Sequence, residues 1–279
     1  MRLYPIARSQ SGAYPGRTLA ALRPTHWSRI VTVTDELTHY LKEFRLPTIR
    51  ANYEMIAKEA VQESLSYEQF LLIMLREEYE QRTQNKVQRF LRESKLPLEK
   101  TLANLDLKRL PQKVRQQIST LTEGVFLDHT ENILVFGSPG TGKTHLLCAI
   151  AHELIRRGKR VLFSRCDLLV QELLIAKKNL ELAKILKRFA KFDAILIDDI
   201  GYVQQSREEM EVLFTLLADR YEQASVMISS NLPFSQWDTI FKSAITAAAA
   251  VDRLVHHSII LELNIPSFRM ISAKSGGVA

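Results

Sequence analysis

Ile133-Leu134-Val135-Phe136-Gly137-Ser138-Pro139-Gly140-Thr141-Gly142-Lys143-Thr144 decides how the rest of this chain reads. Four apolar residues run into a glycine-rich octapeptide ending in Lys-Thr, and the apolar spacing Leu146, Leu147, Ile150, Ala151, Leu154 follows. That is a P-loop set between a strand and a helix. Its glycines let the backbone curl so that several N–H groups face phosphate oxygens, and the positive end of the following helix adds to that field. Lys143 is expected to reach the β- and γ-phosphates of a nucleotide, and the Thr144 hydroxyl to ligate Mg²⁺.

Downstream of Asn132, strand-like and helix-like patterns alternate, which predicts an α/β fold with a mostly parallel sheet covered on both faces. The predicted strands are Ile133–Phe136, Arg160–Ser164, Ala194–Ile197, Ser225–Ser229 and Ile259–Leu263. Helices are expected at about 143–157, 167–177, 180–190, 207–221 and 246–256. Ligands in such sheets sit at the carboxyl ends of the strands, and the chemistry-bearing residues fall mainly there. Ala194-Ile195-Leu196-Ile197 delivers Asp198 and Asp199 at one tip. Asp198 is placed to hold Mg²⁺, and Asp199 to orient or deprotonate an attacking water. The side chain of Asp199 is one methylene shorter than Glu, which predicts slow or partner-dependent hydrolysis. The strand from Ser225 leads to Ser229-Ser230-Asn231, where Asn231 is the candidate contact to the γ-phosphate or the water. A turn or helix-capping asparagine before Leu232-Pro233 is the competing reading. Arg253, on the last predicted helix, and Arg269, after the last strand, are open to three readings. Each is a surface arginine, a finger reaching a neighbour's nucleotide, or a sensor within the same subunit. His145 and His152 lie seven apart on the P-loop helix with no third ligand nearby, so a metal site is not expected there.

Upstream, the pattern is purely helical. Thr34 is the expected N-cap of a first helix bearing Leu37, Tyr40, Leu41 and Phe44 on one face, and Pro47-Thr48 starts a second. A third helix runs from about Ser66 towards Leu91, with Glu77, Glu78 and Glu80 alternating with arginines on a face expected to be solvated. The implied organisation is a tail at 1–33, a small all-α domain at 34–96, a connector at 97–131 with a helix at Pro111 to Thr122, a nucleotide-binding domain at 132–269 and a flexible end at 270–279.

The chain has 279 residues and a net charge of +7. Five of those charges come from Arg2, Arg8, Arg17, Arg23 and Arg29 in residues 1–33, which carry no Asp or Glu. Charge alone is therefore weak evidence for nucleic acid. Two isolated thiols, Cys148 and Cys166, without metal-ligand spacing suggest packing in a reducing cytoplasm. No stretch is apolar for long enough to span a bilayer, and no signal peptide is evident at the N-terminus.

Gly137–Thr144 with His145-Leu146, Asp198-Asp199-Ile200-Gly201-Tyr202, Ser229-Ser230-Asn231-Leu232-Pro233, Val251-Asp252-Arg253-Leu254 and Ser267-Phe268-Arg269 occur in that order. As a set they resemble the IstB-like ATP-binding proteins, transposition helpers related to the DnaC helicase loaders. The resemblance runs from about Thr34 to Arg269. It implies a P-loop AAA+ ATPase using ATP and Mg²⁺ that assembles on duplex DNA as an ATP-dependent homo-oligomer and stimulates the transposase of its insertion sequence. By the same resemblance Lys143 and Thr144 belong to Walker A, Asp198 and Asp199 to Walker B, Asn231 is sensor 1, Arg253 the arginine finger and Arg269 sensor 2. A replicative helicase loader with the same ATPase core is the alternative, distinguished by its partner. A small-molecule kinase would need an acceptor pocket and a lid with transfer-site arginines, which the segment after Arg269 does not offer. DNA contacts are expected mainly to phosphates, with strong salt dependence.

Overall fold

A computed structural model describes residues 32–200, 206–237, 252 and 254–268. Contacts divide the chain into two units, Met1–Tyr79 and Glu80–Ala279. The division falls inside one long helix.

In the first unit, α1 (Val33–Glu43) and α2 (Pro47–Gln62) precede α3 (Tyr67–Ser94), whose N-terminal half belongs here. Thr32, rather than Thr34, caps α1. Its hydroxyl accepts the Asp35 N–H at 3.1 Å, and the Asp35 carboxylate accepts the Thr32 N–H at 3.1 Å. This reciprocal capping box needs an acidic residue three places on, a condition that Thr32 meets and Thr34 does not. Pro47 opens α2 without a side-chain cap of its own. The orphaned amides of Thr48 and Ile49 instead donate to Glu78 Oε2 at 2.8 and 3.2 Å. A carboxylate at a helix N-terminus satisfies both hydrogen bonding and the helix dipole. Glu78, expected on a solvated face, is thus buried.

The second unit is built on a five-stranded sheet: β1 (Asn132–Phe136), β2 (Val161–Arg165), β3 (Ala194–Ile200), β4 (Ser225–Ser230) and β5 (Ser258–Glu262). The strand order is β2-β3-β4-β1-β5, and every pairing is parallel. Strand side chains alternate between faces. Leu134, Ile195, Ile197, Val226 and Ile228 enter one core with helices α7 (Cys166–Lys178), α8 (Leu182–Phe189) and α9 (Arg207–Arg220). Ile133, Val135, Ala194, Leu196 and Met227 enter the other, with α4 (Gln112–Glu123), α5 (Val125–Asp128) and α6 (Lys143–Arg156). Both faces being covered explains why these strands read as continuous apolar runs. The predicted α/β class and parallel sheet hold, with boundaries within a few residues. Of the predicted helix at 246–256, residues 252 and 254–256 are helical, and 246–251 and 253 lie outside the described residues.

The stretch expected to be a connector packs on the sheet body. Leu110, Val114, Ile118 and Leu121 are buried in the α6-side core, together with Phe90 and Leu96 from the end of α3 and just after it. Arg220, at the end of α9, is 3% exposed and donates to the carbonyls of Phe189, Phe192, Asp193 and Ser225 at 2.9 to 3.3 Å. Burial lowers its pKa to about 10, against the pull of Asp219 and Asp193. It remains charged near neutral pH and ties three chain segments by their backbones.

Candidate functional site

The P-loop follows β1 directly and ends where α6 begins. Gly137 is required sterically: a Cβ there would stand 2.6 Å from the Leu263 carbonyl oxygen. Gly142, at φ +95°, is the left-handed residue from which α6 starts. Lys143 Nζ donates to the carbonyls of Gly137 and Ser138 at 2.9 and 3.1 Å, so the ammonium already lies across the loop. Thr144 Oγ1 donates to Asp198 Oδ1 at 2.7 Å, joining the loop to the tip of β3.

At that tip the β3–β4 register slips. Ile197 stands opposite Ile228 and Ile200 opposite Ser230, leaving Asp198 and Asp199 both opposite Ser229. This bulge separates the two carboxylates by environment, as bulges beside functional sites do. Asp198 is buried, whereas Asp199, at φ +59°, is exposed and lines the neighbouring cavity.

That cavity has a volume of about 390 Å³, within the ordinary range for small-molecule sites. Pro139, Gly140, Thr141, Gly142, Lys143 and Thr144 form its phosphate-facing end. Lys100, Asn104, Leu105, Asp106, Arg109 and Leu110 form another wall. Sequence reasoning assigned no residue of that segment to the site, because nothing local to it signals a ligand. Two histidines hold it in place. Nε2 of His145 lies 3.0 Å from the Thr101 carbonyl, and Nε2 of His152 lies 3.0 Å from the Pro97 carbonyl. Among the described residues no group of three or more His, Cys, Asp and Glu side chains is placed to hold a metal, and these histidines serve as donors to backbone.

Asn231 lines the cavity, and its Oδ1 is buried without a hydrogen-bond partner. The turn that carries it is fixed by Ser230 Oγ, which donates to Leu232 O at 2.8 Å, and by the buried Trp237, whose Nε1 donates to the same oxygen at 3.1 Å. After β5 the chain returns to the P-loop. The Phe268 N–H donates to Gly140 O at 2.8 Å, and the Arg109 guanidinium stacks 5.0 Å from the Phe268 ring centre. Both Arg253 and Arg269 lie outside the described residues. Sequence reasoning missed Ser229, which is fully buried and contacts both Asp198 and Asp199; its role depends on strand register, which no local motif announces.

The family described as IstB-like ATP binding protein matches residues 39–275. An insertion-sequence ATP-binding protein of Sinorhizobium fredii is 39% identical over 234 residues, covering 84% of this chain and 78% of the relative. The insertion sequence IS21 ATP-binding protein of Pseudomonas aeruginosa is 33% identical over 243 residues, covering 87% and 92%. Among solved structures, AMPPCP-bound DnaA from Aquifex aeolicus aligns with a TM-score of 0.52 at 23% identity, over 66% of this chain and 56% of DnaA. The crystal structure of DnaI aligns with a TM-score of 0.51 at 23% identity, over 61% and 95%. These structural likenesses, both under 25% identical, show the fold alone.

Proposed function

Since the chain belongs to the IstB-like ATP binding protein family, we propose that it is an ATP-dependent helper of DNA transposition. It assembles on duplex DNA, stimulates the transposase of its own insertion sequence, and is released when ATP is hydrolysed. The observation that carries this reading is the 2.7 Å contact between Thr144 Oγ1 and Asp198 Oδ1, beside a cavity that Thr144, Asp199 and Asn231 line.

Two hard oxygen donors this close fit Mg²⁺, which when bound supplies charge neutralisation at the phosphates. Lys143 leaves the carbonyls of Gly137 and Ser138 for the β- and γ-phosphates, exchanging one set of hydrogen bonds for charge-assisted ones. Asp199 reaches the cavity and takes the proton of the attacking water. Asn231, with its unpartnered carbonyl oxygen, orients that water or the γ-phosphate. Arg253 completes a neighbouring subunit's site in the homo-oligomer and Arg269 acts as sensor within its own. ATP held between subunits favours the assembled state, and hydrolysis removes that preference, a ligand-driven shift of population.

The helical residues 34–96 are the partner-binding part in this reading. Exposed Lys178, Lys184, Lys187 and Lys191, around α7 and α8, support phosphate contacts. No helix among the described residues is long and apolar enough to cross a membrane, and the proposed setting is the cytoplasm.

The test is DNA binding and assembly with ATP, ADP or no nucleotide, for the wild type, Lys143→Ala and Arg253→Ala. ATP-dependent assemblies on duplex DNA that both substitutions abolish are expected. A chain that stays monomeric and ignores DNA in every nucleotide state overturns the proposal, and co-purification with a hexameric helicase redirects it to helicase loading.

A further inference from the structure

We infer that Ser229 is a positioning residue that fixes the two carboxylates of β3 in their different roles, an inference that rests on the hydrolysis proposed above. Its side chain is fully buried at the end of β4. The hydroxyl donates to Asp198 Oδ1 at 2.6 Å and accepts the Asp199 N–H at 2.8 Å. Its proton and one of its lone pairs are therefore committed to two adjacent residues of the neighbouring strand.

The bulge makes this arrangement necessary. With Asp198 and Asp199 both opposite one residue of β4, the regular ladder is interrupted between Ile197 and Ile200. A hydroxyl at Ser229 supplies the acceptor that the interrupted ladder withholds from the Asp199 amide. Holding that amide holds the left-handed backbone at φ +59°, and with it the side chain of Asp199 towards the cavity. A non-glycine residue in that region persists only where the surroundings fix it.

The second bond serves Asp198. Its Oδ1 receives two hydroxyl donors, from Thr144 and Ser229. When the Thr144 hydroxyl turns to a ligand, Ser229 keeps its donor on the carboxylate, so Asp198 meets the ligand already oriented. Catalytic groups held in advance by such supporting bonds avoid reorganisation during reaction. Ser230 continues the stitching. Its Oγ accepts the Leu232 N–H at 3.1 Å and lies 3.1 Å from Ile200 O, beside the far end of the bulge.

The test uses the full chain with duplex DNA, Mg²⁺ and ATP, and compares wild type, Ser229→Ala, Ser229→Thr and Ser229→Cys. Steady-state turnover, equilibrium affinity for a fluorescent ATP analogue, and melting temperature are measured for each. Ser229→Ala is expected to lower kcat about tenfold or more while shifting nucleotide affinity less than about threefold. Ser229→Thr, which keeps the hydroxyl, is expected to recover most of kcat. If the alanine variant melts far below wild type, the decision passes to Ser229→Cys, which keeps the volume but donates weakly; reduced kcat at unchanged affinity supports the inference. Turnover of Ser229→Ala within about twofold of wild type, or equal losses of kcat and affinity that threonine does not rescue, overturns it. A wild-type chain that binds the analogue but never turns over ATP overturns the hydrolysis reading, and this inference with it.

Discussion

The sheet body and the N-terminal helical unit treat their apolar residues in opposite ways. In the body, Leu134, Leu146, Leu147, Leu196 and Leu213 are all fully buried. In the helical unit, Leu41, Ile49 and Ile56 are buried, while Val33, Leu37, Tyr40 and Phe44 form an exposed stripe along α1. Tyr67, Leu71, Leu75 and Tyr79 make another along the first half of α3, each about half exposed or more. Spacings of three and four residues put each set on one helical face. The body is thus a finished core, whereas the helical unit carries apolar surface of the kind that marks interaction sites. That contrast supports assigning nucleotide chemistry to one unit and partner binding to the other.

The contrast can be attacked first through chemistry. Burial raises the Cys148 pKa to about 12, which cuts its thiolate population about a thousandfold below that of an ordinary thiol at pH 8. Cys166 is also buried. A thiol reagent at pH 8 is therefore expected to label both cysteines only after denaturation; prompt labelling of the native chain would show that the body opens readily. Next, Leu147→Ala in α6 is expected to cost about 3 kcal/mol in chemical denaturation, through lost burial and an unfilled cavity. Arg220→Met is expected to cost about 2 kcal/mol, because it strands buried carbonyls that now have a donor. In the helical unit Thr32→Ala should remove about 1 kcal/mol of helix stability, read by amide exchange in α1. The smallest effect is expected for Phe44→Ala and Leu71→Ala, within about 0.5 kcal/mol of wild type. A cost near that of Leu147→Ala would mean these stripes are already covered, and the comparison would fail.

What sequence reading recovered follows how local each signal is. The P-loop is contiguous, and the strand ending in Asp198-Asp199 is a single apolar run, so both were read with their elements. The α1 cap was misplaced by two residues because Thr34 directly precedes Asp35 and Glu36, whereas the reciprocal box is set by an acid three residues after the cap, which Thr32 has and Thr34 lacks. Ser229 was passed over for Asn231 because its partners lie 30 and 31 residues away on another strand. Glu78 was taken for a solvated residue because its neighbours Glu77 and Glu80 resemble it in sequence, whereas its partners are amides some thirty residues earlier. Arg220 carries no motif of its own, and its four carbonyl partners come from the end of α8, the turn before β3 and the start of β4, which no local pattern foretells. Motifs contiguous along the chain were readable; contacts set by strand register or by distant backbone were not.

The paired histidines on α6 have a mechanical consequence. His145 and His152 are seven residues apart, about two helical turns or 10 Å along the axis, and each grips one carbonyl of the 97–101 segment. Two anchors set two turns apart restrain both rotation and sliding of that segment on α6 more than either does alone. The start of the cavity wall, at Lys100 between the two anchors, is thereby tied to the helix that opens at the phosphate-cradling loop. Movement at the front of α6 is in turn coupled to the segment that leads into the other wall of the cavity.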